Sequence, residues 1–263
     1  MVYAGFSGGA LKYLLIITSV FVIDSALSAQ PTTGGCIAEV VPIETGLPFI
    51  ECVSCEFGGF HSDNSYIRSF DLLGDYGITN IEPLGCVRTG VASAIPANGV
   101  SQPVRIRIIV DLDGQGPENF TYTSGVNVGQ VPDPNNFSMQ LVYEEEFQVP
   151  LIDNPTTYDF ILGTGVVDPD GLGADNPLMN PNLRNVVEIY TPDGQAEGDT
   201  FLLAATNETF EIGTSFIAAI TCGLSSPNTL SGIGFPDNRY ILDLGLGPLL
   251  DQDQDGISDD CDL

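Results

Sequence analysis

The residues whose types and spacing promise chemistry form one run: Asp251-Gln252-Asp253-Gln254-Asp255-Gly256-Ile257-Ser258-Asp259-Asp260-Cys261-Asp262-Leu263. Counted from Asp251, carboxylates stand at positions 1, 3, 5, 9 and 12 and a glycine at position 6. Calcium gathers six to eight oxygen ligands around one point. Alternate residues of a sharply turning chain can converge on such a point, and Gly256, without a Cβ, permits the turn. Asp251, Asp253, Asp255, Asp259 and Asp262 would supply carboxylates, and Ile257 its backbone carbonyl. Without a cation these acids repel one another, so binding is expected to order the segment.

Every fixed position of the pattern DxDxDGxxDxCD is filled, and in this the segment 249–263 resembles the thrombospondin type 3 repeat. The resemblance implies Ca2+ as the bound ion. An EF-hand loop would want an apolar residue at position 8, usually glutamate at position 12, and flanking helices. Here those positions hold Ser258 and Asp262, so the type 3 repeat fits better. Such repeats usually come in tandem and bridge cysteines between neighbours. With one unit in this sequence, Cys261 lacks its usual partner, and weak affinity is expected, on the order of 10⁻⁴–10⁻³ M. Asp168-Pro169-Asp170-Gly171-Leu172-Gly173-Ala174-Asp175 and Asp111-Leu112-Asp113-Gly114 begin similar acidic loops, and each reads more readily as a plain turn.

Catalytic signals are poor. Ser-His-Asp or Cys-His chemistry would need His61, the only histidine, as its base. Following Gly58-Gly59-Phe60, it is expected to be ordinary surface. Beyond the expected export signal there is no G-x-S-x-G, and the sequence has no H-E-x-x-H and no phosphate-binding glycine loop. Glycoside hydrolysis needs only two carboxylates, and no pair stands out. Tryptophan, the usual sugar-stacking platform, is absent, although nine tyrosines could substitute. The expected function is a non-enzymatic surface, matrix or adhesion-type module that binds calcium. The alternatives are a carbohydrate-binding module and, third, a carboxylate-dependent glycoside hydrolase.

Thirty-five acidic residues against seven basic ones give a net charge of −28. That field repels nucleic acid and anionic lipid and attracts cations. Lys12, the apolar run 13–23 and the small residues Ser25-Ala26-Leu27-Ser28-Ala29 read as an export signal over residues 1–29. The run is shorter than the ~20 residues of a spanning helix. Neither it, once cleaved, nor any later segment is expected to span a membrane. The expected location is therefore extracellular or at the cell surface. The expected partners are calcium and a matrix protein, cell-surface protein or glycan. Three N-x-S/T sequons stand at Asn119, Asn136 and Asn207.

Six cysteines, an even number in an exported chain, suggest disulfides, and they allow 15 complete pairings. Cys52-Val53-Ser54-Cys55 has CxxC spacing but lacks a thioredoxin-like βαβ context, a second CxxC and neighbouring histidines. A structural disulfide is the expected role.

The elements that must carry these groups read as strands. Val104, Ile106, Ile108 and Val110 alternate with mostly charged residues, which predicts a half-buried strand with Arg105 and Arg107 facing water. Further strands are predicted over 66–72, 140–149, 158–162, 185–191, 200–205, 215–221 and 239–244, separated by Gly, Pro, Asn and Asp clusters. Glu144-Glu145-Glu146 is expected to form a solvated strand edge. Many strands and no helices predict an all-β fold in which two sheets cover each other, a β-sandwich of jelly-roll or related type over residues 30–248. Residues 30–60 are expected to form an irregular cap. The stretches 65–72 and 188–195, with Ser215-Phe216-Ile217-Ala218-Ala219, Cys222-Gly223 and Gly234-Phe235-Pro236, resemble an uncharacterised β-sandwich module of secreted bacterial proteins. That resemblance implies an extracellular accessory or surface role and no particular activity.

Overall fold

The computed structural model describes residues 53–114, 116–117, 139–162, 177–192, 198–207 and 214–246, with the strand backbones of residues 2–4, 15–17 and 39–41. In chain order the first strands are β1 Val2–Ala4, β2 Leu15–Ile17, β3 Glu39–Val41, β4 Glu56–Phe57, β5 Phe60–His61, β6 Asn64–Asp71, β7 Glu82–Ile95, β8 Ser101–Asp111 and β9 Met139–Pro150. They are followed by β10 Thr156–Ile161, β11 Leu178–Met179, β12 Arg184–Thr191, β13 Thr200–Leu203, β14 Ala205–Thr206, β15 Ser215–Ala219, β16 Leu224–Thr229, β17 Arg239–Tyr240 and β18 Leu242–Leu246.

The protein is an all-β sandwich. One sheet runs β16-β15-β6-β12-β8-β9, and the other runs β10-β7-β18-β3 with β11 and β13 also paired to β7. The period-two pattern explains the layering. Tyr66 and Phe70 of β6, Val104, Ile106 and Ile108 of β8, and Val187 and Ile189 of β12 point inward from the first sheet. They meet Val87 and Val91 of β7, Phe160 of β10, and Leu242 and Leu244 of β18 in one buried core. Each such side chain contributes about 1.5–3 kcal/mol by leaving water.

Several elements depart from expectation for local reasons. The run 66–72 stops at Asp71, whose carboxylate accepts the Gly74 N–H at 2.7 Å and caps the short helix α1, Leu72–Tyr76. The run 239–244 divides into β17 and β18. The longest strand, β7, was not predicted. Its Gly85, Gly90, Ala92, Ser93 and Ala94 have weak intrinsic strand preference, and partners on both sides hold it extended. At the other extreme of the first sheet, β16 carries Pro227, which an edge strand tolerates.

One device ties the layers together, and a second fastens a flanking segment. Arg68 shares the inward parity of Tyr66 and Phe70 and is fully buried. Its Nη1 donates across the sandwich to the carbonyls of Tyr240 (3.0 Å) and Leu242 (3.5 Å), and its guanidinium lies 5.5 Å from the Phe70 ring centre. The second device is a disulfide between Cys55 and Cys222, with Cα atoms 6.0 Å apart and 167 residues apart in sequence. It fastens the segment before β4 to the 3-10 turn Ile220–Cys222 that follows β15. Cys86 is also disulfide-bonded.

Candidate functional site

On the outer face of the sheet β16-β15-β6-β12-β8-β9, charged groups stand in rows set by strand register. One row places Glu188 of β12, Arg107 of β8 and Glu144 of β9 side by side; the next places Tyr190, Arg105 and Glu146. Arg107 donates through Nε to Glu144 and through Nη1 to Glu188 Oε2 at 3.4 Å, and its guanidinium lies 5.0 Å from the Tyr190 ring centre. Arg105 donates to Glu146 at 3.0 Å. Apolar residues continue the face: Ile67, Val186, Ile109, Phe216 and Met139 form a second buried cluster.

This overturns the expectation that both arginines face water. The Arg105 side chain is 37% exposed, whereas that of Arg107 is 1% exposed and that of Glu188 2%. Glu188 Oε1 and, on neighbouring β6, Ser65 Oγ are buried without a hydrogen-bond partner. Burial, then the nearby Asp63 carboxylate, holds the Tyr190 hydroxyl far above the ordinary phenol range. The acidic triplet also divides. Glu144 and Glu146 remain partly exposed at the sheet's edge strand, each bound to an arginine. Glu145 is buried and accepts the Tyr143 hydroxyl.

The same motif recurs on the second sheet. Arg88 of β7 stands in register between Asp159 of β10 and Asp243 of β18. It grips Asp159 through two bonds, Nε–Oδ1 at 2.6 Å and Nη2–Oδ2 at 2.9 Å. That bond to Asp159 is the main reason the guanidinium is held protonated more strongly than usual. Arg184 of β12 stands between Asp71 of β6 and Asp111 of β8 and donates to Ser69 Oγ at 3.1 Å. Arginines flanked by acids on both neighbouring strands are thus a repeated construction of this sandwich. No linear motif marks it, because the partners lie tens of residues apart.

Other sequence candidates resolve individually. His61 is buried rather than ordinary surface. Its Nε2 lies 2.7 Å from the Pro192 carbonyl, which can only accept, so this nitrogen carries the proton. Asp111 closes a turn: Oδ1 accepts from the backbone N–H of Asp113 (3.2 Å) and Gly114 (2.9 Å), and Oδ2 from Gly116 (2.8 Å). Burial raises its pKa. With three backbone donors engaged, this carboxylate serves its own loop. Cys55 of the CxxC pairs with Cys222, a structural cross-link. Asn207 is exposed just after β14.

Asp251, Asp253, Asp255, Ile257, Asp259 and Asp262 lie outside the described residues, as do the acidic run 168–175, Cys36, Cys52, Asn119 and Asn136. Among the described residues, no three His, Cys, Asp or Glu side chains converge as a metal shell would. No helix among them is long and apolar enough to cross a membrane. Comparison with protein-family models, curated proteins and solved structures finds no match to this chain.

Proposed function

We propose that this chain is an exported, non-enzymatic β-sandwich module of the cell surface or matrix that binds calcium through Asp251, Asp253, Asp255, Ile257, Asp259 and Asp262. The observation that carries the reading is the spacing of five carboxylates around Gly256, with a backbone carbonyl at position 7. The non-enzymatic part is supported by the charged clusters of the sandwich. Arg107 engages Glu144 and Glu188, Arg88 engages Asp159, and the lone histidine donates to a backbone carbonyl. Such arrangements hold strands in register; a proton-transfer pair needs carboxylates free to exchange protons with a substrate.

Calorimetric titration of the exported protein with CaCl2 tests the proposal. Binding is expected with a dissociation constant on the order of 10⁻⁴–10⁻³ M, as in extracellular calcium modules. An Asp253→Ala/Asp255→Ala variant removes two carboxylates from the centre of the loop and should show no heat of binding over the same range. Equal binding by the two proteins would remove the assignment.

A further inference from the structure

We infer that the open edge of β9 takes up an extended, basic segment of another protein as an added strand, with arginine or lysine opposite Glu144 and Glu146. The strand β9 ends the order β16-β15-β6-β12-β8-β9, and among the described residues only β8 pairs with it. Its open side is long, and both its backbone and its side chains state what would complete it.

Register decides which backbone groups of β9 are left over. In an antiparallel ladder successive residues bond to opposite sides. Ser69 donates its N–H to the Thr214 carbonyl, on the β15 side of β6, so Arg68 and Tyr66 bond towards β12. Their partners there are Val187 and Ile189, which leaves Glu188 and Tyr190 to bond with Arg107 and Arg105 of β8. Ile106 and Val104 therefore bond with Glu145 and Phe147 of β9. Glu144, Glu146 and Gln148 alternate with those residues, so their N–H and C=O groups point away from the sheet. Pro103 agrees: it lies opposite Gln148, past the register of β12, where a missing N–H breaks no ladder bond. Among the described residues nothing bonds to these outward backbone groups.

The side chains say which strand would fit. Charged rows in this sandwich alternate acid, base, acid: Glu188, Arg107 and Glu144; Asp159, Arg88 and Asp243; Asp71, Arg184 and Asp111. At β9 the alternation stops on a carboxylate. Glu144 and Glu146 each take their arginine through Oε2, have no bond to Oε1 among the described residues, and are 35% and 44% exposed. A strand added about 4.8 Å away would bring the next member of each row beside them. Opposite charges there attract and like charges repel. This chain has no such residue to offer. Its six arginines beyond Lys12 already lie within described strands. The other outermost strands, β16, β10 and β3, contain no lysine or arginine. A second copy pairing through β9 would set glutamates against glutamates, in a chain of net charge −28. The occupant is therefore a basic strand from a different protein, held by main-chain bonds and placed in register by alternate side chains.

The test uses the exported protein with a calcium chelator present throughout, so its result does not depend on the calcium loop. The ligand is a short, capped, fluorescent, threonine-rich peptide with two arginines separated by one valine. Saturable binding is expected by fluorescence anisotropy. Amide exchange should slow at Glu144, Glu146 and Gln148 and change little at Glu145 and Phe147, which already bond to β8. The same peptide N-methylated at both arginines keeps its charge but cannot donate to the Glu144 and Glu146 carbonyls, and should bind about tenfold more weakly. Gln148→Pro removes one outward N–H and leaves the β8–β9 ladder intact. It should keep the wild-type urea midpoint and also weaken the parent peptide about tenfold. Absence of binding would overturn the inference. Equal binding by the methylated peptide would do so too, since charge attraction alone would then account for the contact. Protection of the Glu144, Glu146 and Gln148 amides in concentrated protein without peptide would make a second copy the occupant and overturn the assignment of a basic partner.

Discussion

Replacing Arg107 with methionine should cost about 3–5 kcal/mol of folding stability, because it strands a carboxylate that the fold keeps from water. Glu188 is 2% exposed, its Oε2 is held by Arg107, and its Oε1 has no partner. Glu144 differs: its side chain is 35% exposed and can turn to solvent when the arginine is gone. Glu188 is therefore the source of the loss. A second substitution in the same chain, Arg107→Met/Glu188→Leu, should return most of it, since replacing both members of a buried ion pair with apolar groups is often neutral or favourable. Urea denaturation of the wild type and of the single and double variants measures each step. A single variant within about 1 kcal/mol of wild type, or a double variant no more stable than the single, would show that the row of charges does not brace the sheet.

The second large effect is expected from the Cys55–Cys222 bond. It closes a loop of 167 residues, so its loss frees much of the chain in the unfolded state. A Cys55→Ser/Cys222→Ser variant should lose about 2–5 kcal/mol. It should also show a steeper denaturant dependence, because the unfolded chain exposes more surface once the constraint is gone. The bond additionally fixes Val53, Ser54 and Cys55 against Tyr240, Tyr66 and Asn64, where each makes a buried hydrogen bond. Those contacts should be the first to open, and amide exchange of residues 53–64 should rise before that of β8 or β12. Unchanged stability and exchange in the variant would assign the anchoring of this segment to its hydrogen bonds alone.

The fold was legible where one strand's own pattern decides its burial. Val104, Ile106 and Ile108 alternate visibly, and the core takes them on one face. The strands at 140–149 and 185–191 were legible from their β-branched and aromatic residues, Val142, Tyr143, Phe147 and Val149 in one and Val186, Val187, Ile189 and Tyr190 in the other. Legibility failed where identity comes from neighbours. Nothing local in Gly85, Gly90 and Ala92 announces β7, whose extension is imposed by β10, β13 and β18. It failed again for Arg107. A charged residue on the alternate face of a strand reads as solvated unless the opposing rows are known, and Glu144 and Glu188 lie 37 and 81 residues away. Arg68 was hidden in the opposite sense, standing in the inward register where a hydrophobic residue is expected. His61 followed a glycine-rich turn and still became interior, because its ring reaches back to Pro192. The acidic loop is the converse: its reading rests on local spacing and owes nothing to the sandwich.

The placement of the basic residues has a consequence for susceptibility to proteases. Beyond Lys12 the sequence offers trypsin-like enzymes six scissile positions: Arg68, Arg88, Arg105, Arg107, Arg184 and Arg239. All six lie within strands, in β6, β7, β8, β12 and β17. Such enzymes must draw several residues of free, extended backbone into a cleft, and a laddered strand cannot supply them while its hydrogen bonds hold. Cutting at Arg68, Arg88, Arg105 and Arg107, inside long strands, must therefore wait for the sandwich to open, and its rate there becomes a gauge of how often the fold comes apart.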